Sequence, residues 1–198
     1  MTKQFSFKEI FMFGWAKTKQ HAWFIVLTFI ISSIIVSAVK FVPVIDAVVS
    51  MMVGLSICSL SLLISRDQHF TFEDLYKPLL SAKRVLKFFV LVLLYAVAVT
   101  IGTILLVVPG IYIATRFKFF PYIVIENENA KLSELIKMSY RLTAGHFWDV
   151  FLFLVVVAIV NIIGAALLMV GLFITVPVSI FASAYVYNKL KASHHHEA

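Results

Sequence analysis

Long apolar runs separated by short polar joints dominate the chain. Six of them, at about 22–40, 45–64, 87–108, 110–127, 148–170 and 172–188, approach the roughly 20 residues that a helix needs to cross a hydrocarbon core of about 30 Å. They are too continuously apolar to alternate as barrel strands. Unpaired backbone groups are costly in lipid, so the runs predict helices. Amphipathic stretches lie between them. In FEDLYKPLLSAKRVLKFF (72–89), Phe72, Leu75, Tyr76, Leu79, Val85, Leu86 and Phe89 fall mostly along one helical face, while Asp74, Lys77, Lys83, Arg84 and Lys87 occupy the other side.

The pattern repeats. FKEIFMFGWAKTKQHAW (7–23) laid over LSELIKMSYRLTAGHFW (132–148) at a constant shift matches Glu9 with Glu134, Thr18 with Thr143, His21 with His146 and Trp23 with Trp148. Each amphipathic stretch precedes two apolar runs joined near a Val-Pro step, at Pro43, at Pro109 with Gly110, and at Pro177. Proline suits the first turn of a helix, so these positions read as structural turn markers, and Ser6-x-x-Glu9 reads as a capping box. The predicted fold is an all-α integral membrane protein with six transmembrane helices. They form three repeats of an amphipathic interfacial helix plus a transmembrane hairpin, at about 5–64, 71–127 and 131–190, in a single polytopic domain over 1–198. A cleaved leader, with Lys17 and Lys19 ahead of the first run and Val36-x-Ala38 as its cleavage site, fits less well, because a leader has no reason to share that repeat.

Composition agrees with the pattern. The chain is 62% hydrophobic and 14% charged, which excludes an ordinary soluble domain. Its net charge of +7 is one-sided: Lys3, Lys8, Lys17, Lys19, Arg66, Lys77, Lys83, Arg84, Lys87, Lys131, Lys137, Arg141, Lys189 and Lys191 fall on one side of a six-span layout, with Lys40 opposite. Both termini are therefore expected in the cytoplasm. The interfacial helices would grip anionic inner-leaflet headgroups, with Trp15, Trp23 and Trp148 as interface anchors. The partners implied are membrane lipids and a homo-oligomer or a membrane protein partner. Nucleic acid is not among them, since no matching motif is present.

Chemistry is sparse. Arg116 and Lys118 are the only cations well inside an expected span. Arg116 lies seven residues beyond Pro109, roughly 10 Å at 1.5 Å per residue, within snorkelling reach of the outer interface, and Lys118 is turned about 200° from it. One of the two should face the bundle or a polar cavity, where charge is costly and often functional. It would bind a phosphate or carboxylate ligand, with Arg141 as a third ligand-binding candidate. The structural alternative is pairing with Glu126, Glu128 or Asp149.

Ser50, Gly54 and Cys58, Ala98 with Gly102, and Ser179 with Ser183 have the four-residue spacing of close helix contacts, and Asn161 reads as interhelical glue. Two histidines without carboxylate or thiolate ligands are a weak metal signal, so His21 and His146 read as interface residues; no metal and no cofactor are expected. Cys58 is the single cysteine and forms no internal disulfide. No nucleophile motif, phosphate-cradling loop or paired catalytic carboxylates occur, so a noncatalytic role is expected.

The run PGIYIATRFKFFPYIVIENENAKLSELIKMSYRLTAGHFW combines proline-glycine, an aromatic-rich span, an acidic turn and a short helix of the type xSxxLTxGxFW. It resembles the six-helix membrane domain found ahead of some bacterial glycerophosphoryl diester phosphodiesterases, and the related uncharacterised YciC-like integral membrane proteins. The specific part covers about 105–150, through Pro109, Gly110, Arg116, Ser139, Leu142, Thr143 and Trp148. The resemblance implies a helical bundle in a prokaryotic cytoplasmic membrane. It does not carry phosphodiesterase activity, because no soluble stretch here could form the catalytic barrel. The expected function is thus a noncatalytic multi-pass protein that organises lipid or a membrane partner complex. The alternative is a small transporter or channel for an anionic or lipid-like solute.

Overall fold

The computed structural model describes residues 6–105, 107–166 and 171–196, and these contain helices and connecting turns but no strand. Lys3, Leu106 and residues 167–170 of the expected fifth span lie outside the described residues. The helices are α1 (Phe7–Gln20), α2 (Ala22–Val39), α3 (Pro43–Ser65), the single turn α4 (Glu73–Tyr76), α5 (Ala82–Leu105), α6 (Val107–Arg116), α7 (Phe120–Glu126), α8 (Leu132–Leu142), α9 (Phe147–Ala166) and α10 (Leu172–His196). Four of them contain stretches long and apolar enough to cross a membrane: 22–39, 45–65, 82–103 and 147–166. Their outward faces are apolar, with Ile34 64% and Ile162 67% exposed, while Ser56, Ser61, Ser179 and Ser183 are buried. That inversion of the soluble pattern fits a bundle solvated by hydrocarbon, and the chain is a membrane protein.

The amphipathic helices pack as their periodicity requires. α1 buries Ile10, Gly14, Lys17 and Thr18, and α8 buries Leu135, Ser139, Leu142 and Thr143, the same four positions under the shift that aligns the two segments. The paired threonines make the same bond one turn back, Thr18 Oγ1 to the Gly14 carbonyl at 2.8 Å and Thr143 Oγ1 to the Ser139 carbonyl at 3.3 Å. Trp15, Trp23 and Trp148 stay exposed.

Several expectations are corrected. The stretch 110–127 is not one span: α6 ends at Arg116, residues 117–119 form a turn and α7 begins at Phe120. Pro121 causes the break, because it has no N–H for the Phe117 carbonyl, and it falls in the first turn of α7, where none is needed. The 72–89 stretch is not one amphipathic helix. α4 passes into a 3-10 turn, Lys77–Leu79, around Pro78, and the remainder already belongs to α5, where the Ser81 hydroxyl accepts the Arg84 N–H at 3.3 Å. Pro43 opens α3 and Pro109 falls in the first turn of α6, but Pro177 lies inside α10, six residues along, so it does not mark the third turn. Ser6 precedes α1 without capping it, and Glu9 instead accepts from Tyr185 and Lys189 on α10.

Glycine packing is selective. A Cβ on Gly102 would lie 2.9 Å from the Gly110 nitrogen, so the backbones of α5 and α6 touch, as the small-residue spacing predicts. Gly54 has nothing within 4 Å of its Cβ direction and is not a contact position.

Ionic contacts gather the helix ends. Glu126 accepts from Arg66, from Lys191 at 2.7 Å and from the Tyr187 hydroxyl at 2.5 Å, joining the ends of α3, α7 and α10. Lys17 of α1 pairs with Asp67, just beyond α3. Glu128 accepts from Ser81 and from Arg84 at 2.6 Å, and Lys87 donates to the Ala130 carbonyl at 2.6 Å, fixing the 127–131 loop on α5. The Ser81 hydroxyl, with Arg84, Lys83 and Lys87 nearby, holds the Glu128 carboxyl below its ordinary pKa. A lowered folded-state pKa contributes stability that is fully present above the ordinary carboxylate range and is lost as pH falls through the lowered value. Thermal unfolding in detergent from pH 6 down to pH 3 should therefore show declining stability, and Glu128→Gln should make the decline shallower. An unchanged slope in that variant would show that the contact carries no pH-dependent stability.

Candidate functional site

The break in the fourth apolar run separates its two cations. With no N–H at Pro121, the Phe120 N–H bonds to the Phe117 carbonyl at 3.3 Å, and the Arg116 carbonyl is left without its helical partner. It accepts instead from the hydroxyls of Ser139 at 3.2 Å and Thr143 at 3.5 Å, both on the buried side of α8. The Arg116 side chain returns the contact. Nη1 donates to the Thr143 carbonyl, at the C-terminus of α8, at 2.8 Å, and the guanidinium lies 5.2, 4.7 and 5.2 Å from the ring centroids of Tyr112, Tyr140 and Phe147. A cation on the last carbonyls of a helix is favoured by the local dipole, and aromatic faces supply further attraction. Arg116 is a clamp between α6, α8 and α9. The acids that the sequence offers it, Glu126, Glu128 and Asp149, are engaged elsewhere: Glu126 and Glu128 in the ionic contacts above and Asp149 with His146 at 3.7 Å.

Lys118 sits in the turn itself and faces another way. It lines a cavity of about 280 Å³ between α3, α7, α9 and α10, together with Cys58, Tyr122, Asn161, Ser179 and Ser183. Among the described residues no hydrogen bond or ion pair reaches its ammonium. In the same lining Asn161 donates from Nδ2 to the Ser179 hydroxyl at 3.1 Å and to the Val157 carbonyl at 2.9 Å, which is the α9–α10 glue its position predicts. Its Oδ1 is buried with no donor. Ser179 donates to the Thr175 carbonyl and Ser183 to the Ser179 carbonyl, each at 2.7 Å, so both hydroxyls retain only acceptor capacity toward the cavity.

The three cations proposed from the sequence therefore do not converge. Arg116 is held against α8, Lys118 lines the cavity, and Arg141 lies on the exposed side of α8. The polar wall of the cavity, Asn161 with Ser179 and Ser183, escaped grouping with Lys118 because the residues lie on different elements, and only the four-residue serine spacing hinted at it. His21 packs edge-on to Phe70, centroids 5.0 Å apart, and burial together with the Lys17 charge lowers its pKa from the ordinary histidine value. Neither histidine joins a metal-binding group among the described residues. Comparison with protein-family models, curated proteins and solved structures returned no match.

Proposed function

We propose that this chain is a noncatalytic, six-span protein of a prokaryotic inner membrane that organises anionic lipid along its cytoplasmic face. The observation that carries the reading is the exposed basic charge on the two interfacial helices that no acidic side chain of the described residues pairs. Lys8 and Lys19 on α1 and Lys137 and Arg141 on α8 are exposed without an ion-pair partner among the described residues, while exposed Trp15, Trp23, Tyr140 and Trp148 lie on or just beyond the same helices. Basic residues beside amphipathic aromatics match an anionic headgroup layer, each contributing about 1 kcal/mol near such a surface. The matched burial of α1 and α8 supports the repeat, with α6 and α7 together as a broken fourth span and α10 as the sixth. The gathering of Lys17, Arg66, Arg84, Lys189 and Lys191 at one end supports the orientation with both termini inside.

The test is native mass spectrometry of protein extracted from bilayers mixing phosphatidylcholine with phosphatidylglycerol. Retained lipid should be enriched in phosphatidylglycerol, and the quadruple variant Lys8→Gln, Lys19→Gln, Lys137→Gln, Arg141→Gln should lose that enrichment. Retention in proportion to the bilayer composition would defeat the reading. A second reading, transport of an anionic solute, is favoured by the Lys118 cavity beside a broken helix, and predicts solute flux in proteoliposomes that Lys118→Gln abolishes.

A further inference from the structure

The cavity at Lys118 poses a chemical demand that the chain does not meet from its own side chains. An ammonium carries three donors and no acceptor, and in an apolar surround it is costly until an acceptor of opposite charge faces it. The same lining holds the Ser179 and Ser183 hydroxyls, which donate to backbone carbonyls and can meet a ligand only as acceptors. The ammonium and the serine oxygens ask for complementary chemistry: negative oxygen toward Lys118 and an O–H or N–H toward Ser179 or Ser183. A bare carboxylate satisfies the first demand and fails the second, since an ionised carboxylate only accepts.

We propose that this cavity is a binding site for a phosphate group that also bears a hydroxyl, with its anionic oxygens on Lys118 and its hydroxyl donating to a serine oxygen of the lining, Ser179 or Ser183. Two sources share that chemistry, inorganic phosphate with its P–OH and a glycerol-bearing phospholipid headgroup. The fold builds the site deliberately in the physical sense. Pro121 ends the helical register, the clamp on α8 turns Arg116 away, and Lys118 is left in a three-residue turn whose side chain enters the cavity rather than a helix–helix seam. Ser179 and Ser183 are oriented by their own carbonyl bonds, which leaves their oxygens as acceptors for the ligand hydroxyl. The proposal does not depend on the surface lipid reading above, since none of that surface's residues lines the cavity.

Cys58 supplies a built-in reporter: it is the single cysteine in the chain and it lines the cavity, so occupancy is readable in the unaltered protein by its protection from methyl methanethiosulfonate. Three preparations separate the sources: phosphatidylcholine nanodiscs alone, the same nanodiscs with phosphatidylglycerol, and detergent-solubilised protein with inorganic phosphate. Near-saturating ligand should slow Cys58 modification about tenfold, in proportion to the fraction of unoccupied protein. Protection by phosphatidylglycerol alone assigns a lipid headgroup, and protection by inorganic phosphate assigns a free anion. In either case Lys118→Gln should remove the protection and the retained phosphatidylglycerol or inorganic phosphate. If Lys118→Gln does not fold, the wild-type protection decides the matter. Equal modification in all three preparations, together with no retained phosphatidylglycerol or inorganic phosphate, overturns the proposal and leaves a cavity filled by water only.

Discussion

Replacing Arg116 with alanine is expected to destabilise the folded bundle by about 2–4 kcal/mol, the sum expected for one hydrogen bond from a charged donor and a partly exposed cation–aromatic contact. The side chain holds the Thr143 carbonyl at the C-terminus of α8 and fills a space bounded by Tyr112, Tyr140 and Phe147. Removing it uncaps α8 and opens the aromatic cage together, so the loss should exceed that of an ordinary surface substitution, which usually stays within about 0.5 kcal/mol. Arg116→Lys should recover only part of the loss. A lysine supplies the charge but not the flat guanidinium that can donate to a carbonyl while lying among rings. Thermal unfolding in detergent, compared across wild type, Arg116→Lys and Arg116→Ala, checks the order. Equal midpoints for all three would mean that the clamp contributes nothing to stability.

The second large effect is expected at Gly14. A Cβ there would lie 2.5 Å from the Val178 carbonyl oxygen and 3.4 Å from the Ala182 nitrogen, both backbone atoms of α10. Backbone cannot swing aside as a flexible side chain can, so Gly14→Ala must separate α1 from α10. The strain of such overpacking typically costs about 1–3 kcal/mol. The separation would also loosen the Glu9 contacts with Tyr185 and Lys189. Gly54→Ala provides the contrast, because that position has nothing within 4 Å and alanine is the better helix former by about 1 kcal/mol. The expected result is a lowered unfolding midpoint for Gly14→Ala and an unchanged or raised one for Gly54→Ala. Equal behaviour of the two variants would contradict the tight α1–α10 seam.

The run from Pro109 to Trp148 takes on a mechanical meaning once the fold is described. Arg116, Ser139 and Thr143 are separated by 23 and 27 positions, yet they exchange hydrogen bonds in both directions between α6 and α8. Gly110 lets α6 lie against α5 at Thr103. A pattern that looks like a sequence signature is thus the record of one backbone break and the groups that satisfy it. In an apolar surround a freed carbonyl needs a donor, and hydroxyls from the neighbouring helix provide it.

The sequence by itself determined that this is a helical membrane protein, where most helices lie and which face α1 and α8 bury. Those properties follow from local physics: the length and continuity of apolar runs, and a 3.6-residue period of apolar positions, act within one segment and can be read from it. Tertiary structure alone decided which aligned positions touch what, with Gly14 pressed on the backbone of α10 and Ser139 donating to the Arg116 carbonyl although the two align when the α1 and α8 segments are laid over each other. It also decided that Pro121 breaks a helix while Pro177 is tolerated inside one. It parted two cations two residues apart, sending Arg116 to a helix terminus and Lys118 to a cavity shared with Asn161. Periodicity cannot report these outcomes, because each depends on which partner, from a distant part of the chain, stands ready to satisfy a freed backbone group or a buried charge.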